Sequence, residues 1–268
     1  YVWAKPKRLL GRNAKTEKSS KTGALVASHQ MSPATESVQY GGVNMCAEAS
    51  AGCIGACLKN AGMNVMPTHV RARVNKALWW LREPDPYHAQ FNKEVQAHKR
   101  KAERLGLEPW VRPNTLTDRP MFAIRAAREN PFVYFYDYTK RLKWWQKHKD
   151  KRPDNYFIVL SRSESNHERW LRMMQTGEWV GAVVFDGPMP DTYLGFPVVD
   201  GTKDDSVWLS PPGTIRGLQL IGTNKAKQAA RESGFAVPTG PQPKPKPKPK
   251  PTKLSNGWGE ISLPIHGE

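Results

Sequence analysis

Acidic residues are scarce in this chain. Asp and Glu number 24 against 41 Lys and Arg, which leaves a formal net charge of +17 at pH 7 and a pI of about 9.9. That field attracts polyanions, of which nucleic acid is the commonest and membrane lipid the other candidate. Long apolar runs are missing too. No stretch approaches the roughly 18 apolar residues that a spanning helix needs, so no membrane partner is expected. The basic segment from Tyr1 to Lys18 lacks the apolar core of a secretory signal. There is no phosphate-cradling glycine loop or dinucleotide fingerprint, and no His-Glu-x-x-His or Gly-x-Ser-x-Gly. His-x-Glu with Pro-Cys-x-x-Cys is absent as well. The chemistries those motifs carry are therefore not signalled here, zinc deamination among them.

Cysteine is the rarest informative residue. The chain has three, Cys46, Cys53 and Cys57, all within one twelve-residue window whose filler is mostly Ala, Ser and Gly. Small filler lets a backbone fold tightly around a point so that several sulfurs face one centre. An odd number in a long chain argues against a disulfide framework. Soft thiolates suit an iron–sulfur cluster or zinc. Three ligands leave a fourth position open, which a substrate or a histidine such as His29 or His69 would fill. The plainer alternative is one or two buried structural cysteines with a third nearby. Clustered free thiols without a signal sequence place the protein in a reducing cytoplasm.

A hydrophobic content of 38% and a mean hydropathy of −0.65 describe a moderate core with many solvated segments. Three regions are expected: a basic arm over 1–20, an α/β domain over 21–237 and a tail over 238–268. In the tail, Pro243 to Pro251 alternates Pro and Lys, which makes an extended, positive polyproline II rod. The short apolar stretch from Trp258 to Ile265 follows it.

Within the domain, 22–28 reads as a strand and the cysteine loop follows it. Residues 68–82 and 88–105 read as helices, with Pro84 and Pro86 stopping the first and Gly106 the second. Strands are expected at 110–114, 132–137, 156–161, 180–185, 197–199, 207–209 and 215–221, with helices at 120–128 and 166–175. Apolar strands alternating with helices imply a mostly parallel sheet covered on both faces, as an open sheet or an incomplete β/α barrel. Functional groups in such folds gather at the carboxyl ends of the strands. Four strand ends are polar there: Asn114 to Asp118, Tyr136 to Lys140, Ser161 to Glu164, and Asp200-Gly201 with Asp204-Asp205. Asn114, Asp118, Asp137, Lys140 and Asp200 are the candidate catalytic residues, expected to line one cavity facing the cysteines. Polar residues also end strands for purely local reasons.

The segment from Lys140 to Arg152 carries seven cations against Asp150, with Trp144 and Trp145 in the middle. Lys143, Lys147 and Lys149 would meet phosphates, and the two indoles would stack on unpaired bases. A solvated basic loop with its tryptophans in the core is the alternative.

The ordered set of motifs resembles an uncharacterised family of bacteriophage proteins, the gene-product-eighty-eight-like group, from about Lys21 to Val237. It comprises Asn44-x-Cys46, Ala49-Ser50-x-Gly52-Cys53-x-x-Ala56-Cys57, Ala61-Gly62, Asn114-x-x-x-Asp118, Phe135 to Lys140, Ser161-x-Ser163-Glu164 and Asp200-Gly201. The chain departs from that pattern at Pro113 and Thr115, and at Phe122 where an acidic residue is expected. The resemblance implies the fold and the position of the site and carries no reaction. By architecture alone the chain is also similar to radical S-adenosylmethionine enzymes, which place three cluster cysteines after the first barrel strand. Their spacing is Cys-x-x-x-Cys-x-x-Cys, whereas this chain has six and three residues between its cysteines. S-adenosylmethionine is the cofactor that this second likeness implies.

Three functions follow as expectations. The first is a phage-type protein that holds an iron–sulfur or metal centre and acts on or near nucleic acid, as an enzyme or otherwise. The second is a non-catalytic nucleic-acid-binding protein with structural zinc. The third is a virion or host-interaction protein that uses the Lys-Pro rod as a spacer.

Overall fold

The computed structural model describes residues 4–240, so the Lys-Pro run and the apolar stretch after it lie outside the described residues. In chain order the elements are β1 (Leu10–Gly11), α1 (Ala14–Lys18), β2 (Ala24–His29), α2 (Ala51–Gly55), α3 (Pro67–Arg82), α4 (Pro84–Arg104), β3 (Glu108–Arg112) and α5 (Pro120–Glu129). They continue with β4 (Tyr134–Thr139), α6 (Leu142–Lys147), β5 (Tyr156–Ser161), α7 (His167–Gln175), β6 (Val180–Asp186), β7 (Thr192–Tyr193), β8 (Phe196–Asp200), β9 (Ile215–Gln219), α8 (Asn224–Glu232) and β10 (Val237–Pro238).

Ten strands form one mixed, mostly parallel sheet in the order β1-β2-β3-β4-β5-β6-β9-β8-β7, and β10 pairs beside β6. Only β1 and β7 run antiparallel to their neighbours. The sheet does not close. From β2 to β6 each strand lies beside the strand that precedes it in sequence. Right-handed crossovers that always advance in one direction put every helix on the same face.

The packing follows that rule. Trp79, Tyr87, Phe91, Phe122, Trp145 and Trp170 from α3 to α7 form one core with Ala27, Val111, Phe135, Ile158 and Val183 of the strands. The alternate strand residues Ala24, Val26, Trp110, Tyr136, Val159 and Ala182 form a second cluster on the opposite face. Helices were expected on both faces. The second face is instead covered by a 3-10 turn at Val207–Leu209, where a strand was expected. Pro211 and Pro212 follow that turn and cannot donate to a ladder, and Trp208 stacks on Trp110 with ring centroids 4.1 Å apart.

Two further expectations change. The prolines at 84 and 86 begin α4 as much as they end α3, because a first-turn proline loses no hydrogen bond there. The stretch expected as a basic arm is built into the domain from Leu9 onward. Leu9 is fully buried, β1 pairs with β2, and Lys15 reaches the buried Asp205 at 2.9 Å.

Candidate metal centre

The cysteine segment leaves β2 and is tied to the turn that follows β3. Met45 accepts the Asp118 amide through its carbonyl at 3.1 Å and donates its own amide to Ala34 at 3.0 Å. The Asn44 side chain accepts the Cys46 amide at 2.9 Å, and the Cys46 thiol lies 3.4 Å from the carbonyl of Leu116, to which it donates. Ser50 caps α2 by accepting the Cys53 amide. Glu164, just past β5, clamps this turn from the other side. One carboxylate oxygen accepts the Ser50 hydroxyl and the other the Gly52 amide, both at 2.8 Å. The segment thus lies over the carboxyl ends of β3, β4 and β5.

The three thiols are half-buried and near enough for Cys53 and Cys57 to act on Cys46, and Cys53 on Cys57, through their charges. Burial pushes Cys46 up to about 12, and the charges of Asp118, Cys57 and Cys53 raise it further while the Ala34 amide opposes them. Burial also raises Cys57, with Cys53 adding to the rise and Lys59 and Lys140 acting against it. The Lys140 ammonium lies near Cys53, whose charge favours it. Burial acts to lower its pKa, but Cys53, Asp118 and Cys46 outweigh that and hold it above its ordinary value. It also lies 5.5 Å from the centre of the Phe235 ring. As they stand, no three Cys, His, Asp or Glu side chains among the described residues converge on a point that would hold a metal ion. The donors nevertheless suit a soft cation, since a thiol binds as its thiolate and Lys140 would balance the excess charge. His29 is not a free ligand. Its ring contacts the Pro113 carbonyl at 2.7 Å and the Tyr87 hydroxyl at 2.5 Å within an aromatic cage.

Four of the five candidate catalytic residues come together here, though mostly as braces. The Asp137 carboxylate accepts the Asn114 amide and side chain at 2.8 Å each and the Tyr156 hydroxyl at 2.9 Å. Burial raises it to about 7. Asn114 in turn accepts from Thr117 and from the Arg119 amide, which shapes the turn after β3. Asp118 accepts the Thr139 hydroxyl at 2.8 Å and the Lys140 amide at 2.7 Å, joining that turn to the end of β4. Of the four, Lys140 supplies the positive charge that acts on the sulfurs, and Asp118 a negative one. Asp200 is not part of this group. It ends β8, four strand positions from β4, about 20 Å away at ordinary strand spacing, and caps its own turn by accepting the Thr202 amide.

In the basic segment, Lys143 and Lys147 are exposed on α6. Trp145 is fully buried against Tyr156 and unavailable for stacking, and Lys149 pairs with Glu178 at 2.6 Å. Trp144 remains half-buried, edge-on to Trp145. The clamp by Glu164 and the guanidiniums of Arg119 and Arg141 were not singled out from sequence. Glu164 shows there as a polar strand end and within the motif Ser161-x-Ser163-Glu164, but its partner is 112 residues away.

These features define a class, an open and singly wound α/β domain with a three-thiol loop over the carboxyl edge of its sheet. The chain belongs to the Gene product 88 family, whose family model matches residues 7–238. No curated protein and no solved structure matches it. No helix among the described residues is long and apolar enough to cross a membrane.

Proposed function

We propose that Cys46, Cys53 and Cys57 hold one metal or iron–sulfur centre, and that the protein uses it on or next to nucleic acid in the cytoplasm of the phage's host. The observation that carries this is the pairing of three clustered thiols with the Lys140 ammonium at the carboxyl edge of a parallel sheet, where such folds place their chemistry. The half-buried Lys140 would balance thiolate charge around either kind of centre, so it is the carboxyl-edge position that favours a reactive one. The centre would supply redox or Lewis-acid chemistry, Lys140 would offset thiolate charge, and Glu164 would fix the loop that presents two of the sulfurs.

Nucleic acid is supported by the charge of +17 and by Lys143, Lys147 and the half-buried Trp144 on the helix that leaves this edge. Single-stranded substrate fits best, because an indole can stack only on an unpaired base. A second reading, structural zinc in a non-catalytic nucleic-acid-binding protein, is favoured by the roles of Asn114, Asp118 and Asp137 as braces. The singly wound sheet favours the likeness to S-adenosylmethionine enzymes, with that molecule at the open ligand position.

Anaerobic purification with metal analysis and an absorption spectrum tests the centre. Broad visible absorption with iron and sulfide supports the cluster, and a colourless protein with one zinc supports the second reading. Each Cys→Ala change is expected to abolish binding, and a triple variant that keeps stoichiometric metal would refute the centre. Binding of a fluorescent single-stranded oligonucleotide should weaken as salt rises. Changing Lys143 and Lys147 to Ala together should lower the salt slope by about two counterions at most.

A further inference from the structure

The turns after β3 and β4 bring two guanidiniums to the cysteine edge. Asp118 bonds the hydroxyl of Thr139 and the amide of Lys140, so the two turns meet immediately before Arg119 and Arg141. Among the described residues no carboxylate pairs with Arg119. Its guanidinium carbon lies 5.0 Å from the centre of the Trp80 ring. The side-chain charges acting on it are those of Arg141, unfavourable, and Cys46, favourable. Arg141 pairs with Glu48 of the cysteine segment at 3.5 Å, its charge also acts on Asp118, and its Nε is buried without a hydrogen bond. The two half-buried guanidiniums repel one another, and with Glu48 and Asp118 supplying the carboxylate charge near Arg141, an added anion would relieve the repulsion at Arg119. A planar guanidinium presents paired donors that match phosphate oxygens.

We infer that Arg119 and Arg141 form a phosphate subsite beside the three sulfurs. It takes a phosphoryl or phosphodiester group of the substrate and exchanges the Glu48 contact for the anion. This names the group that the proposed function would hold at the centre, and it rests on that reading only for the carrier of the phosphate. The exposed Lys143 and Lys147 lie four residues apart on α6, the helix that Arg141 caps, and this added positive charge favours a polynucleotide over a free nucleotide.

The test is isothermal titration of the full chain with inorganic pyrophosphate, a nucleoside monophosphate and a single-stranded octanucleotide. Variants are Arg119→Gln, Arg141→Gln, Glu48→Gln and, as a control on α4, Lys93→Gln. Metal content is measured on every preparation. Either arginine variant should weaken pyrophosphate binding about tenfold or more, Glu48→Gln should strengthen it, and Lys93→Gln should leave it unchanged. An octanucleotide that binds more tightly than the monophosphate identifies a polynucleotide carrier, and equal affinities identify a nucleotide. Pyrophosphate binding that is undetectable in the unsubstituted chain, or unchanged in both arginine variants, overturns the subsite whatever the metal content shows. Should the arginine variants fail to fold, Glu48→Gln decides, since the subsite requires it to bind more tightly. An unsubstituted chain that binds pyrophosphate as expected but holds no metal would remove the centre and leave the subsite standing.

Discussion

Lys140 places a positive charge beside Cys46, whose thiol is held by burial in its neutral form at pH 7. With Cys46 held at about 12, metal uptake at neutral pH must expel protons, so apparent affinity should climb with pH. Lys140 lowers the energy of the thiolates that form. Lys140→Met is therefore expected to weaken uptake by roughly tenfold, one pKa unit of lost stabilisation, without unfolding the domain. Competition with a chromophoric chelator between pH 6 and 9 measures both effects, and an unchanged affinity would show that the ammonium does not balance the sulfurs. At this scale the sequence exposed the cysteines and the polar strand ends, because cysteine is rare and polar residues stand out after apolar runs. It could not separate groups that face the centre from groups that brace it. Asp137 and Asp118 look alike in sequence until their donors are counted, and Asp200 differs from them only in the place of its strand.

The elements around the site are held by close approach as much as by hydrogen bonds. A Cβ on Gly52 would lie 2.2 Å from the Ser233 hydroxyl, 2.6 Å from Phe235 Cβ and 2.8 Å from the Glu164 carboxylate. Gly52→Val should displace α2, cost about 2 kcal/mol or more and abolish metal binding. Gly11→Ala, which meets nothing within 4 Å, should do neither. Glu164→Ala removes two charge-assisted bonds and is expected to cost about 2–3 kcal/mol, with faster hydrogen exchange at the Gly52 and Cys53 amides. Urea unfolding and exchange mass spectrometry read these outcomes. Equal protection with and without Glu164 would mean the clamp is idle. Elements with a strong local signal were legible, among them the apolar runs of β4, β5 and β6 and the glycine that closes α4. Short elements were not. β1 exists because β2 offers an edge, and the turn at Val207–Leu209 exists because Trp110 offers a ring; both partners are far away in sequence.

Across the whole molecule, buried titratable groups should make stability depend on pH. Burial lowers His29 to about 3, aided by the charge of Lys76, and lowers His88 to about 4. Unfolded, both take up protons near 6.5. Their folded values are depressed, so the unfolded chain binds more protons below pH 6.5 and the folded state loses stability as pH falls from there. Asp137 acts in the opposite direction. With its folded value raised to about 7, it holds a proton that the unfolded chain lacks between about pH 4 and 7, a contribution lost as pH rises through 7. Among these three groups, two protons against one leave a net loss of about 1.4 kcal/mol per pH unit from 6 to 5; the lowered His98 and His167 add to it and the raised Asp118 opposes it. The slope should roughly double in Asp137→Asn. Urea midpoints at pH 7, 6 and 5 provide the check, and a flat profile in both proteins would contradict neutral buried histidines. The fold class was legible at this scale, since alternating strands and helices specify a parallel sheet. The one-sided placement of the helices was not, because strand order is a long-range property that local periodicity does not encode.

That strand order also bears on how the chain reaches its native state. From β2 to β6, position in the sheet repeats position in the chain, so during synthesis each new strand finds its partner already present at the growing border. The sheet can lengthen by accretion from the amino-terminal side as the chain leaves the ribosome. Only the last part breaks the rule, because β9 must insert between β6 and the earlier-made β8. A nascent chain stalled after β8 would carry a bare β6 border, open to pairing with another chain, and this late exchange is where misassembly would concentrate.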